Sequence, residues 1–175
     1  MLGRSFDGPG HVLPHLDQDV RGHRMAKAAV EMGIWALAAT RAGLSLARLI
    51  GGTRAEIPVG VSLGIQQSPE RLVDKARAAL EQGYHKVKIK ITPGSDVAFV
   101  TAVREALGPD APLMADANNA YTMADADTLV RLDPLHLIMI EQPLAWDDVV
   151  RHAELQRRLA TPICLDESID RKSVV

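Results

Sequence analysis

Cysteine, aromatic side chains and long apolar runs are all scarce in these 175 residues, and each scarcity excludes something. The single cysteine, Cys164, cannot close an internal disulfide, and one thiol cannot build a cysteine-rich zinc or redox site. Any metal site must therefore use oxygen or histidine. No stretch approaches the roughly 20 apolar residues of a membrane span. The first fifteen residues also lack the apolar core of a signal peptide, so a cytoplasmic location without a membrane partner is expected. Neither sign of charge dominates: 20 basic and 22 acidic side chains leave a formal net charge of −2. The strongly basic footprint of a nucleic-acid binder is missing. A hydrophobic content of 47% is ample for a packed core, which argues against disorder and for one soluble domain.

Residues 1–20 are rich in Gly, Pro and Asp without a clear period, and they read as a loop or the edge of something larger. Over residues 21–46, Met25, Ala28, Ala29, Met32, Trp35, Ala36 and Ala39 recur at helical spacing, with Gly43 as a stop. From residue 57 onward short apolar runs alternate with helical stretches, the pattern of βαβ units and a parallel sheet. Five strands are predicted, over 57–63, 86–91, 112–116, 137–141 and 162–166. Between them Ser68-Pro69 opens a helix whose face is Leu72, Val73, Ala76 and Leu80, and Gly83 closes it. Thr122 with Asp125 resembles a capping box, and Asp147 with Asp148 puts negative charge at another helix start.

Charged residues recur at the predicted strand ends. Lys90 to Asp116 is 26 positions, Asp116 to Glu141 is 25 and Glu141 to Asp166 is 25. Such a repeat suits one strand, one helix and two short loops. In a (β/α) barrel the strand ends of one face meet around a common mouth where active sites are built, so three carboxylates and a lysine would converge there. Alternation supports an inward direction: Val87, Ile89 and Ile91 oppose Lys88 and Lys90, and Ile138 and Ile140 oppose Met139 and Glu141.

Three carboxylates from separate strands make a site for a hard divalent cation, magnesium or manganese, with Asp116, Glu141 and Asp166 as ligands. The competing reading of each carboxylate is a strand end that caps the next helix. For Lys88-Ile-Lys90 the competing reading is an edge strand protected by lysines. Beside a metal, Lys88 and the ion would lower the pKa of Lys90 and let it accept a proton. Cys164 reads as a small core residue, and His23, His85, His136 and His152 lack metal spacing and are assigned no chemistry.

Lys-Ile-Lys at 88–90, Asp-Ala-Asn at 116–118, Glu-Gln-Pro at 141–143 and Asp-Glu-Ser at 166–168, in this order, resemble the muconate-lactonizing branch of the enolase superfamily. Within it, Gly-Val-Ser-Leu-Gly-Ile at 60–65, Lys-Ile-Lys-Ile-Thr-Pro-Gly at 88–94 and Glu-Gln-Pro-Leu-Ala-Trp-Asp-Asp at 141–148 look like the o-succinylbenzoate synthase and N-acylamino acid racemase group. The resemblance implies an α/β fold: an incomplete (β/α)8 TIM-type barrel, about its first five strands, over residues 51–169. A loop and helical remnant of an α+β capping domain would occupy residues 1–50. It also implies magnesium, or manganese or another divalent cation, on Asp116, Glu141 and Asp166, with Lys90 as the acid/base lysine and Lys88 its electrostatic partner. Ser62 and Asn118 would contact metal or substrate. The implied reaction is magnesium-dependent abstraction of the proton α to a carboxylate, through an enediolate intermediate, on a small-molecule carboxylate substrate. Dipeptide epimerase and muconate cycloisomerase could share all five residues. The full-length parent is expected to be a homo-oligomer.

Several features depart from the family pattern. Only five barrel strands are read, the second acid/base lysine of a sixth strand is absent, and Trp35-Ala36-Leu37 replaces the usual Trp-Asp-Leu. Racemisation needs groups on both faces of the α-carbon, so the chain alone is expected to be weakly active or inactive. Residues 170–175, Asp-Arg-Lys-Ser-Val-Val, leave the family-like sequence and match what a widely used sequencing adapter encodes, which suggests a gene fragment with an added tail. The rival from another class is a noncatalytic half-barrel that serves as an assembly module.

Overall fold

A computed structural model describes residues 5–169, so the tail at 170–175 lies outside the described residues. The chain forms two compact units, Met1–Ile57 and Pro58–Val175.

The first unit carries α1 (Val12–Asp19), α2 (Arg24–Ala42) and the short α3 (Leu46–Leu49). Helix α1 corrects the reading of residues 1–20 as a loop. A 3-10 turn over Pro9–His11 leads into it, and Pro14 sits in its first turn, where a missing N–H costs little. Eight residues around one fully buried side chain, Val12, are too few to display a helical period. The Lys27 ammonium ties α2 back to the Asp17 carboxylate and the Val20 carbonyl. Gly43, at φ 66°, ends α2 in the left-handed conformation that glycine adopts without a Cβ clash. The apolar stripe read on α2 is only partly covered, with Met25 89% and Met32 63% exposed.

The second unit is a five-stranded parallel sheet in the order β1-β2-β3-β4-β5, each strand followed in the chain by helical structure as far as β5. Its strands are β1 (Gly60–Leu63), β2 (Lys86–Lys90), β3 (Leu113–Asp116), β4 (Ile140–Glu141) and β5 (Ile163–Cys164). The helices are α4 (Pro69–Glu81), α5 (Val97–Leu107), α6 (Ala126–Val130) and α7 (Val149–Gln156). Every strand lies inside its predicted span, and β4 and β5 are cut to two residues.

The truncation of β4 corrects one facing assignment. Ile140 is fully buried, but Ile138 precedes the strand and is 40% exposed, so the two do not share a side.

One face of the sheet is aliphatic. Val87, Ile89, Leu113, Ala115 and Ile140 are fully buried and pack under Leu72 and Ala76 of α4, Val100 and Val103 of α5, and Leu155 of α7. Each such aliphatic side chain removed from water contributes about 1.5–3 kcal/mol, which makes this layer the main support of the sheet. The expected helix starts are present: Ser68 Oγ accepts from Arg71 N, Asp148 Oδ1 accepts from Arg151 N, and Thr122 and Asp125 form a reciprocal capping box. Behind the sheet the buried Arg104 guanidinium gathers the carbonyls of Gly108, Pro109, Ala111, Leu135 and His136, locking the turns that enter β3 and β4.

Candidate active site

Because side chains alternate along a strand, burying Val87 and Ile89 against the helices turns Lys86, Lys88 and Lys90 to the opposite face. Strand register then determines which residues stand level. Lys90 pairs with Asp116, Asp116 with Glu141, and Glu141 with Cys164. The 25-residue spacing alone would have put Asp166 on that rung. Asp166 instead lies two residues beyond it, exposed, in the turn that follows β5.

One rung below, Lys88 stands beside Ser62 and Met114. Its Nζ is 3.0 Å from Asp116 Oδ2 and 2.9 Å from Glu141 Oε1, so one ammonium joins the ends of β3 and β4. Lys90 Nζ lies 3.6 Å from Asp116 Oδ2 and donates to Asn118 Oδ1. The amide of Asn118 continues outward, its Nδ2 donating to Glu167 Oε1 at 3.2 Å. A cation on one side and a carboxylate on the other fix which end of this amide faces which neighbour.

The carboxylates are the buried partners. The Asp116 side chain is 2% and the Glu141 side chain 10% exposed, against 26% for Lys88 and 38% for Lys90. Burial works against charge on Lys88, but its bonds to Glu141 and Asp116 outweigh it and hold the ammonium above the ordinary lysine pKa. Cys164 faces the same side half-buried rather than packing in the core; burial, then the Glu141 and Asp166 carboxylates, push its thiol up.

A cavity of about 230 Å3 opens beside this cluster, lined by Gly60, Val61, Ser62, Lys86, Lys88, Met114 and Glu141. A Cβ at Gly60 would meet Lys86 Cγ at 2.5 Å, so a side chain there would displace Lys86.

Among the described residues no three of His, Cys, Asp and Glu are grouped to hold one ion. The donor chemistry nonetheless fits a hard divalent cation: Asp116 and Glu141 already converge their oxygens on one positive charge, and Asp166 is the predicted ligand that is not drawn in.

Sequence reasoning missed the residues that shape the turns around this cluster. Gln142 is fully buried with φ 40°, and His152 and Ser168 are buried beside it in one hydrogen-bonded group. Tyr121 is buried, and its hydroxyl donates to Asp96 Oδ2 at 3.3 Å, joining the loops after β2 and β3. A polar residue directly following Glu141 in an otherwise apolar turn was the one local signal for Gln142.

The chain is similar to several known proteins. The chain is 54% identical over 157 residues to an o-succinylbenzoate synthase of Geobacillus kaustophilus, covering 90% of this chain and 42% of that one. It is 49% identical over 169 residues to an N-succinylamino acid racemase of Thermus thermophilus, covering 97% and 45%. The chain thus spans less than half the length of these curated relatives. Its fold superposes with a TM-score of 0.87 on a crystal structure of a racemase from Streptomyces coelicolor with bound magnesium, at 29% identity, covering 95% of this chain and 50% of that one. The family profile described as enolase C-terminal domain-like matches residues 71–173, the stretch from α4 through the carboxylates and lysines of the inner face, and the chain belongs to that family.

Proposed function

We propose that this chain carries the metal-ion and lysine side of a site that removes the proton α to a carboxylate, as in o-succinylbenzoate synthase and N-acylamino acid racemase. The observation that carries the reading is the joining of β2, β3 and β4 at one end: Lys88 bonded to both Asp116 and Glu141, with Lys90 3.6 Å from Asp116. Asp116, Glu141 and Asp166 would hold magnesium. When bound, the ion supplies positive charge where negative charge develops on the substrate carboxylate as the proton leaves.

The chain's own side chains divide the remaining work. Lys90, 38% exposed at the strand end, is the group that takes and returns the proton. Lys88 stays charged between the two carboxylates and keeps them converged. Ser62 presents its hydroxyl to the cavity, and Asn118 holds the Lys90 ammonium in place. Lys86, Lys88 and Lys90 all stand on β2, so these lysines serve proton exchange from one face.

The test is to incubate the chain with an N-succinylamino acid and magnesium in D2O and follow the α-proton by NMR. Deuterium should enter with retention of configuration, and Lys90→Ala should slow entry about 100-fold or more, the range of a general base. No exchange above buffer overturns the reading that this chain alone carries that half of the chemistry, and equal exchange in the variant removes Lys90 from it.

A further inference from the structure

The β5 ladder ends at Cys164, yet Asp166 lies two residues farther on, where no strand pairing reaches it. Its backbone is held by a side chain from the neighbouring strand end. Gln142 Oε1 accepts from Asp166 N at 2.8 Å and from Ser168 N at 3.2 Å. The other half of the same amide is also committed: Nε2 donates to Ser168 Oγ at 2.8 Å and to the Leu144 carbonyl at 3.2 Å, and lies 3.4 Å from His152 Nε2.

The surroundings leave this amide no freedom to turn. Ser168 Oγ donates onward to the Trp146 carbonyl at 2.6 Å. His152 Nε2 accepts from Leu144 N at 3.1 Å, which makes Nδ1 the protonated nitrogen, donating to the Asp148 carbonyl at 2.8 Å. Rotating the Gln142 amide by 180° would set its N–H groups against those of Asp166 and Ser168. The backbone is equally constrained: Gln142 has φ 40°, outside the usual range for a side chain of its size, while its N–H donates to Cys164 O and its carbonyl accepts from Asn119 N, each at 2.8 Å. Gln142 is 0% exposed in this conformation, with both ends of its amide in use.

We propose that Gln142 is a positioning residue that fastens the Asp166 turn to the strand end bearing Glu141, and so sets the distance between the second and third carboxylates of the site. This rests on the metal-binding reading above. Glu141 is placed by the strand, Asp166 by the amide that follows Glu141 in the chain, and the two move together because one residue joins them. Nothing else among the described hydrogen bonds ties the Asp166 N–H to the sheet.

The test uses the full chain, with amide hydrogen exchange by NMR and Mn2+ titration. Gln142→Met keeps the length and loses both polar atoms. Exchange at the Asp166 and Ser168 amides should accelerate at least tenfold while Val87 and Ile89 on β2 stay protected, and Mn2+ affinity should fall about 10- to 100-fold, the usual effect of losing a residue that orients a ligand. In an Asp166→Asn background the same substitution should leave Mn2+ affinity unchanged, since it acts through Asp166; a further loss there would mark a merely structural role. Gln142→Glu keeps the oxygen that Asp166 and Ser168 use but sets its second oxygen against the Leu144 carbonyl and His152 Nε2, so it should not restore Asp166 protection. Should Gln142→Met lose its helical circular dichroism, the wild-type chain decides: Asp166 and Ser168 amides protected like those of the β2 ladder support the clasp, and exchange at the rate of an open turn overturns it. If the wild-type chain takes up no Mn2+, the metal-binding reading fails, and the exchange rates alone then decide whether Gln142 holds the turn.

Discussion

The Lys88 ammonium crosses β3 to lie 2.9 Å from the Glu141 carboxylate on β4. It also touches Asp116 on the way, so a single cation holds two carboxylates that would otherwise repel in a poorly hydrated space.

Lys88→Met should therefore leave the two carboxylates facing one another with only Lys90, 3.6 Å from Asp116, as compensation. Removing one partner of a fully buried pair costs about 3–5 kcal/mol, and with the Lys88 side chain 26% exposed a loss of about 2 kcal/mol is expected. Urea unfolding measures it. Millimolar magnesium should then raise the midpoint of the variant more than that of the wild type, because it offers the carboxylates a replacement cation; an equal response in both proteins would contradict the arrangement.

Arg104→Met tests the far end of the sheet. Its guanidinium serves five backbone carbonyls while only 8% exposed, and a hydrogen bond to a charged donor nets about 1.5–3 kcal/mol. These bonds share one side chain and do not sum, so a loss of about 3 kcal/mol is expected. Arg104→Lys should restore little of it, since an ammonium cannot span the same fork. Full recovery by lysine, read in denaturant midpoints, would sink the account.

Tyr121 gives an alkaline signature. Burial first, and then the Asp96 carboxylate, push its phenol far above the ordinary value of about 10. The folded-state pKa is raised, so the associated stability is intact below pH about 10 and declines as pH rises above it. The Tyr121 ring carbon resonances should not shift with pH until the protein unfolds, and Asp96→Asn should bring ionisation to lower pH. Titration of Tyr121 near pH 10 in the folded wild type would refute this.

Asp133 gives the opposite sign. Burial works to raise its pKa, but the N–H groups of Ala160 and Thr161, donating at 2.9 and 2.8 Å, outweigh burial and lower it. Its contribution is present above the unfolded value near about 3.9 and is lost as pH falls through the depressed folded value. In acid unfolding, Asp133→Asn should flatten the pH dependence in this window and lower stability at neutral pH. A wild-type and variant with parallel acid limbs would show that Asp133 does not carry it.

Some of this architecture was legible in the chain itself, and some was not. Alternation around Lys88 and Lys90 identified both the strand and its buried side, because the two faces of β2 meet different media and the period of two is local. Helix α1 escaped notice because one buried valine within eight residues displays no period. The facing of Ile138 was misread because nothing local marks where β4 begins; Ile138 already bonds to Leu113 of β3, but the bond toward β5, to the Pro162 carbonyl, starts only at Ile140.

The sequence by itself determined the residue types of the site and their order along the chain: Lys88, Lys90, Asp116, Glu141 and Asp166, each at or near the end of an apolar run between helical stretches. Only the tertiary structure decided which of them meet. Register, a property of hydrogen bonds between strands, set Cys164 rather than Asp166 level with Glu141. A reach across 53 residues joined Lys88 to Glu141, and one of 24 residues hung the Asp166 turn on Gln142. Periodicity reports only which side of an element is buried, whereas these contacts exist only once separate elements have packed, and that is where the arrangement of these side chains was set.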